Sequence, residues 1–142
     1  MYARFKDRVD FYAVYIREAH PSDGWSMESN ERVGIKVAQP KTSKERTQVA
    51  SHCCAALDMA IPLLVDDIDD TVGRAYSGFP DRLYLLDRTG RVAYKGGRGP
   101  FGYKPRELEQ TLVMILIDEA SKARTEQRKQ SNEGSGNDHE DF

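Results

Sequence analysis

The chain has 142 residues, a formal net charge of -2 and 39% hydrophobic residues, which suits one globular domain. This near-neutral charge gives no indication of a nucleic-acid partner, and no apolar run approaches the roughly 18 residues of a membrane span. The first seven residues carry charge but no apolar segment follows them, so the sequence predicts no signal peptide.

A strand is predicted over residues 9–16, because apolar side chains fall on both of its faces, as in a strand covered on both sides. Polar residues then follow abruptly, among them Glu18 and His20, which share a face while the chain stays extended. Open α/β sheets place their sites just beyond the carboxyl ends of parallel strands. We therefore predict a site here, covered by Trp25. The alternative is a solvated loop with one surface histidine.

A long surface loop is predicted over residues 21–40, and a helix over residues 43–59. Thr42 and Glu45 match a capping box at the start of this helix. Its apolar stripe consists of Val49, Ala50, Cys53, Cys54 and Leu57.

The two cysteines, Cys53 and Cys54, are adjacent in sequence. They form neither a CxxC redox pair nor a metal-ligand spacing with the three histidines. We interpret them as two small buried apolar residues of the helix. This usage suits a reducing compartment, so we expect a cytoplasmic protein.

Four aspartates follow a short buried strand predicted at residues 63–65: Asp66, Asp67, Asp69 and Asp70. Clustered carboxylates are able to bind a divalent cation, but no EF-hand spacing is present. We favour the alternative, in which Asp69 and Asp70 stabilise the N-terminus of a short helix at residues 71–76. No metal site is predicted.

Pro80 precedes a hairpin with strands at residues 82–86 and 91–95, joined by a turn at residues 87–90. The glycine-rich residues 96–103 match neither common nucleotide-binding pattern. Close approach of the backbone explains these glycines better, and it leaves Arg98 available for an anion.

A final helix is predicted from Pro105 to about Arg124, with Pro105 at its first position. Its apolar stripe consists of Leu108, Leu112, Ile115, Leu116 and Ala120. Residues 127–142 are polar and acidic, so we predict a domain over residues 1–126 and a disordered tail. The order of elements predicts an α/β fold with a parallel part and an antiparallel edge hairpin.

Two segments resemble signatures of the iodothyronine deiodinase family. The first is YIREAHPSDGW, starting at Tyr15, and the second is DRLYLLDRTGRVAYKGGRGPFGY, starting at Asp81. The resemblance covers most of residues 9–117 and implies a thioredoxin-like fold. In such folds the proline ahead of the hairpin strand, here Pro80, is usually cis.

The resemblance also implies roles for individual residues. Tyr15, Glu18 and His20 fall on the Tyr-x-x-Glu-x-His motif of the family. There the histidine is proposed to bond the phenolic oxygen of the iodothyronine, above a proton relay that includes the glutamate. Arg98 matches a proposed partner of the hormone carboxylate. Asp81 stands where animal members have glutamate, and its shorter carboxylate retains the chemistry of a proton relay.

Reductive removal of an aryl iodide needs a soft nucleophile and a proton for the ring carbon, which His and tuned carboxylates supply. The nucleophile of the family lies in a Ser-Cys-Thr-(Sec or Cys)-Pro-Pro-Phe turn, which this sequence does not contain. We therefore expect a thioredoxin-like fold without its first strand and most of its first helix. We also expect Met1 to be an internal methionine of a longer polypeptide.

The resemblance implies a small-molecule substrate and an external thiol reductant, with no bound cofactor. Animal members are homodimers, which leaves a homodimer open here. Two other functions stay open on the same fold: a thiol peroxidase or disulfide reductase, and a non-catalytic binding module that keeps His20 and Arg98.

Overall fold

A computed structural model describes residues 1–23 and 37–134. The helices of this part are α1 (Tyr2–Phe5), α2 (Ser43–Ala56), α3 (Thr71–Ala75) and α4 (Pro105–Gly134), and the strands are β1 (Ala13–Tyr15), β2 (Leu63–Val65), β3 (Tyr84–Leu86) and β4 (Val92–Lys95). Their order is the predicted one, and the α/β fold class is confirmed. Trp25, the predicted cover of the site, lies outside the described residues.

The chain divides into two compact units. The first unit comprises Met1–Arg82 and Gly96–Tyr103, and the second comprises Leu83–Lys95 and the chain from Lys104 onward. The predicted site residues on the exit of β1 and on the glycine-rich segment all belong to the first unit.

In the first unit β1 and β2 run parallel, with Val14 opposite Leu64. Helix α2 packs against β2. Val14 and Leu64 are 41% and 49% exposed, so the prediction of a strand covered on both faces is wrong. The strand is also shorter than the predicted residues 9–16, because its pairing with β2 extends over three residues.

Helix α2 begins with the predicted capping box. Thr42 Oγ1 accepts the Glu45 N–H at 3.2 Å, and the Glu45 carboxylate accepts the Thr42 N–H at 3.2 Å. The helix ends at Ala56, because Asp58 adopts a left-handed conformation that the helix cannot include. Leu57 is consequently 63% exposed and does not extend the buried stripe.

The short helix α3 is capped by aspartates other than the predicted pair. The Asp66 carboxylate accepts the N–H groups of Val72 and Gly73, and Asp67 accepts the N–H of Thr71. Asp70 occupies the N-cap position without a capping bond from its side chain. The prediction that Asp70 lies at the start of this helix is therefore confirmed, but the carboxylates that accept its N–H groups are those of Asp66 and Asp67. Within the described residues no group of three or more His, Cys, Asp or Glu could hold a metal ion.

In the second unit β3 and β4 form the predicted antiparallel hairpin, with Asp87 Oδ1 accepting the N–H groups of Thr89 and Arg91 in the turn. Helix α4 packs on both strands and buries Leu108, Leu112 and Leu116.

Helix α4 continues to Gly134, beyond the end at about Arg124 that the sequence predicts for it. Residues 124–130 are mostly Arg, Glu, Gln and Lys, whose helix propensities are high. None of the described helices combines the length and apolar content that a membrane-spanning helix requires.

Candidate functional site

The exit of β1 carries three of the predicted site residues. Tyr15 is the last residue of the strand, and its hydroxyl is buried without a hydrogen-bond partner among the described residues. Glu18 and His20 follow, and both are half-buried. Neither side chain is fully exposed, but most of the predicted loop, residues 24–36, lies outside the described residues, so the alternative of a solvated loop with a surface histidine stays open.

The Glu18 carboxyl lies between opposing influences. Burial raises its pKa above the ordinary value of 4.5, while the positive charges of Arg46 and His20 lower it. Burial is the larger effect, so the net shift is upward. A carboxyl with a raised pKa is a better proton donor near neutral pH than an exposed one.

Arg46 of α2 supplies the buried positive charge near this carboxyl. Its side chain is 2% exposed, its Nη1 donates to the carbonyl oxygen of Asp67, and Nη1 lies 3.6 Å from Asp70 Oδ1. The Arg46 Nε is buried without a partner among the residues described. The sequence analysis missed this residue. A signal was present, because Arg46 precedes Ala50 by one helical turn on the buried side of α2.

Asp70 joins the exit of β1 to the buried arginine. Its Oδ1 accepts the backbone N–H of Arg17 at 3.2 Å, and its Oδ2 lies 3.8 Å from Arg17 Nε. The guanidinium of Arg17 in turn stacks over the Phe79 ring, 4.1 Å from the ring centroid. The Phe79–Pro80 bond is cis, as the resemblance implies for this proline.

Cys53 lies close enough to Glu18 for the two groups to interact. Burial raises the pKa of the Cys53 thiol, and the negative charge of Glu18 raises it further. Because only the thiolate is strongly nucleophilic, this environment disfavours Cys53 as the attacking group. Cys53 and Cys54 both lie in α2, as interpreted, but each is only half-buried, so the interpretation of them as buried residues is confirmed only in part.

The glycine-rich segment approaches Asp81 closely. The Gly99 N–H donates to the Asp81 carbonyl oxygen at 3.1 Å, and a Cβ added at Gly99 would overlap the Asp81 carboxylate. A Cβ added at Gly102 would overlap the backbone of Gly97 and Arg98. These contacts confirm that the glycines permit close approach. The Arg98 side chain is exposed.

The predicted site residues therefore fall into two groups. Glu18 interacts with His20 at the exit of β1, and Asp81 contacts the residue next to Arg98. A direct approach of His20 to Arg98 stays a prediction.

The chain matches the family model for iodothyronine deiodinase over residues 1–115. The chain belongs to the iodothyronine deiodinase family. Among curated deiodinases, it is 36% identical over 110 residues to a thyroxine 5-deiodinase of Sparus aurata, and 40% identical over 110 residues to that of Gallus gallus. It is also 31% identical over 104 residues to a type I iodothyronine deiodinase of Xenopus laevis.

These deiodinase alignments cover 78%, 78% and 73% of this chain, in the same order. They cover only 39%, 41% and 39% of the three relatives. The chain thus spans about two fifths of the length of the curated deiodinases that it matches. Its α/β architecture agrees with the thioredoxin-like fold expected of the family.

Proposed function

We propose that this chain carries the substrate-binding and proton-delivery part of a site that reductively removes iodine from an iodothyronine. The observation that carries the proposal is the half-buried Glu18 beside His20 at the exit of β1, with a pKa raised by burial. Both residues fall on the motif of the family to which the chain belongs. The relatives named thyroxine 5-deiodinase support an aryl iodide as the substrate.

In this proposal the site residues divide the work between binding and proton transfer. His20 bonds the phenolic oxygen of the substrate, and Glu18 supplies the proton that His20 passes toward the ring. Tyr15 and Asp81 belong to the same relay. Arg98 binds the carboxylate of the hormone, which its exposed guanidinium suits in charge and shape.

The reaction breaks the carbon–iodine bond, and the ring carbon keeps the bonding electron pair and receives the proton. A selenolate or thiolate takes up the iodine, and two equivalents of an external thiol then reduce the resulting selenenyl or sulfenyl iodide and release iodide. We assign this nucleophile to neither cysteine of the chain. The raised pKa of Cys53 supports that choice. The reductant is a diffusible or partner thiol, and no bound cofactor is required.

The proposal predicts that His20→Ala weakens thyroxine binding about tenfold, because one hydrogen bond to a charged or polar group contributes roughly 1.5 kcal/mol. Calorimetric titration of the full 142-residue chain with thyroxine measures this. In the protein translated from its complete reading frame, the same change should lower iodide release about 10²-fold or more. His52→Ala, at an exposed histidine of α2, serves as the control.

Unchanged binding and turnover in His20→Ala would remove this residue from the mechanism. Hydroperoxide reduction without iodide release would instead favour a thiol peroxidase of the same fold. Thyroxine binding by the complete protein with no turnover of either substrate would favour the binding module.

A further inference from the structure

Asp70 has a backbone conformation that its position in the chain does not explain. Its φ is 61°, in the left-handed region that residues other than glycine seldom adopt. Asp70 precedes α3, yet its side chain makes no capping bond, because Asp66 and Asp67 already accept the free N–H groups of that helix. Helix capping therefore gives no reason for an aspartate in this conformation.

The contacts of its carboxylate give a reason. Asp70 accepts the backbone N–H of Arg17 and lies 3.8 Å from Arg17 Nε and 3.6 Å from Arg46 Nη1. The carboxylate thus joins the exit of β1 to helix α2. The absence of a side chain at Gly73 makes room for it, since a Cβ there would lie 3.0 Å from the Asp70 carboxylate.

Glu18 directly follows the residue that Asp70 holds. The charged and titratable groups that interact with Glu18 are His20 on its own segment and Arg46 and Cys53 on α2. Arg46 is the cation among them that also interacts with Asp70. The negative charge of Asp70 therefore offsets part of the Arg46 charge that Glu18 experiences.

We propose that Asp70 is a positioning residue, whose carboxylate ties the Arg17 backbone to the buried Arg46 guanidinium. Through these two contacts it fixes where Glu18 leaves β1 and how strongly Arg46 attracts the Glu18 carboxylate. The proposal rests on the proposed role of Glu18 as the proton donor. It assigns to Asp70 the task of keeping that carboxyl able to hold a proton.

The test is a pH titration of the Glu18 carboxyl ¹³C resonance in the full, ¹³C-labelled chain without substrate. The resonance is assigned by its loss in Glu18→Gln. Asp70→Asn removes the charge but keeps an oxygen acceptor and a residue that tolerates the left-handed conformation. We expect this variant to lower the pKa of Glu18, because the Arg46 charge is then less offset. Asp69→Asn, at the exposed neighbouring aspartate, should leave the pKa unchanged.

A second variant separates the loss of the negative charge of Asp70 from the loss of its contact with the Arg17 backbone. Asp70→Gly suits the left-handed backbone. It removes both the negative charge near Arg46 and the acceptor of the Arg17 N–H group. It should lower the pKa of Glu18 and also speed hydrogen exchange of the Arg17 amide, whereas Asp70→Asn should leave that exchange slow. An unchanged or raised pKa of Glu18 in Asp70→Asn, or an equal shift in Asp69→Asn, would overturn the proposal. Failure of both Asp70 variants to fold would overturn it too, by making Asp70 merely structural.

The titration contains no iodothyronine, so its outcome is independent of the proposed activity. The expected shifts in a protein that neither binds nor deiodinates thyroxine would refute the activity and leave the role of Asp70 intact. Deiodination that depends on His20, together with no effect of the Asp70 variants on the pKa of Glu18, would support the activity and refute the role of Asp70.

Discussion

At the scale of single residues, the balance of burial against charge at Glu18 determines the character of the site. The carboxyl is half-buried, and two positive groups compensate the loss of water only in part. An exposed glutamate would be fully ionised near neutral pH and would be a poor proton donor. In its proposed role as proton donor, Glu18 would link stability to function, because the burial that favours its protonated form also makes its ionised form unfavourable in the folded state.

We predict that Glu18→Gln changes the pH dependence of stability. The raised pKa means that the folded state binds more protons than the unfolded state between 4.5 and the folded value. The contribution of Glu18 to the free energy of unfolding is therefore fully present below pH 4.5 and is lost as pH rises through the folded pKa. The free energy of unfolding of Glu18→Gln should rise relative to wild type over that interval, measured by urea denaturation from pH 4 to pH 8.

The matched control for this denaturation series is Glu126→Gln, at an exposed residue of α4. Its difference from wild type should stay constant with pH over the same interval. A constant difference for Glu18→Gln as well would contradict the raised pKa.

At the scale of elements, the sequence correctly predicted a helix start and a turn whose hydrogen bonds join neighbouring residues. The capping box of Thr42 and Glu45 and the Asp87 turn appear as the sequence indicates, because their partners lie within four residues. Buried Arg46 could not be recognised in the same way. A lysine or arginine on a helix is usually solvated, and the burial of Arg46 depends on its contacts with the distant residues Asp67 and Asp70.

Helix α3 shows why the choice among the four aspartates was only partly right. The positions next to the helix, Asp69 and Asp70, are the usual ones for favourable charge. The parallel pairing of β2 with β1 instead brings Asp66 to the N–H groups of the helix, and its own N–H donates to the carbonyl oxygen of Tyr15 at 2.9 Å. That placement depends on tertiary structure, which a local pattern does not contain.

We predict that Asp66→Ala lowers the free energy of unfolding by about 2 kcal/mol. The change leaves the buried N–H group of Gly73 and the part-buried N–H group of Val72 without their acceptor, and one buried donor left unsatisfied costs about 1–3 kcal/mol. Urea denaturation at neutral pH measures the loss. Asp69→Ala, which is exposed, should stay within about 0.5 kcal/mol of wild type. Equal losses in the two variants would show that Asp66 has no special part in holding α3.

At the scale of the whole molecule, the chain passes repeatedly between its two units. The hairpin of β3 and β4 and helix α4 form the second unit, while the intervening Gly96–Tyr103 belongs to the first. The glycine-rich segment therefore returns to the unit that holds Glu18 and His20. The sequence predicted both segments as parts of one site, whereas their direct approach depends on long-range packing that the local patterns of the segments do not specify.

We predict that deleting residues 127–142 leaves the thermal midpoint within about 2 °C of the full chain, because the described α4 side chains beyond Ala120 are exposed. The deletion should nevertheless reduce the helical circular dichroism signal at 222 nm, since α4 extends to Gly134. A deletion that begins at Val113 is the contrast, because it removes the buried Leu116 and should lower the midpoint clearly. An unchanged helical signal after the shorter deletion would mean that the acidic tail begins at residue 127, as its composition indicates, and that the last turns of α4 do not persist in solution.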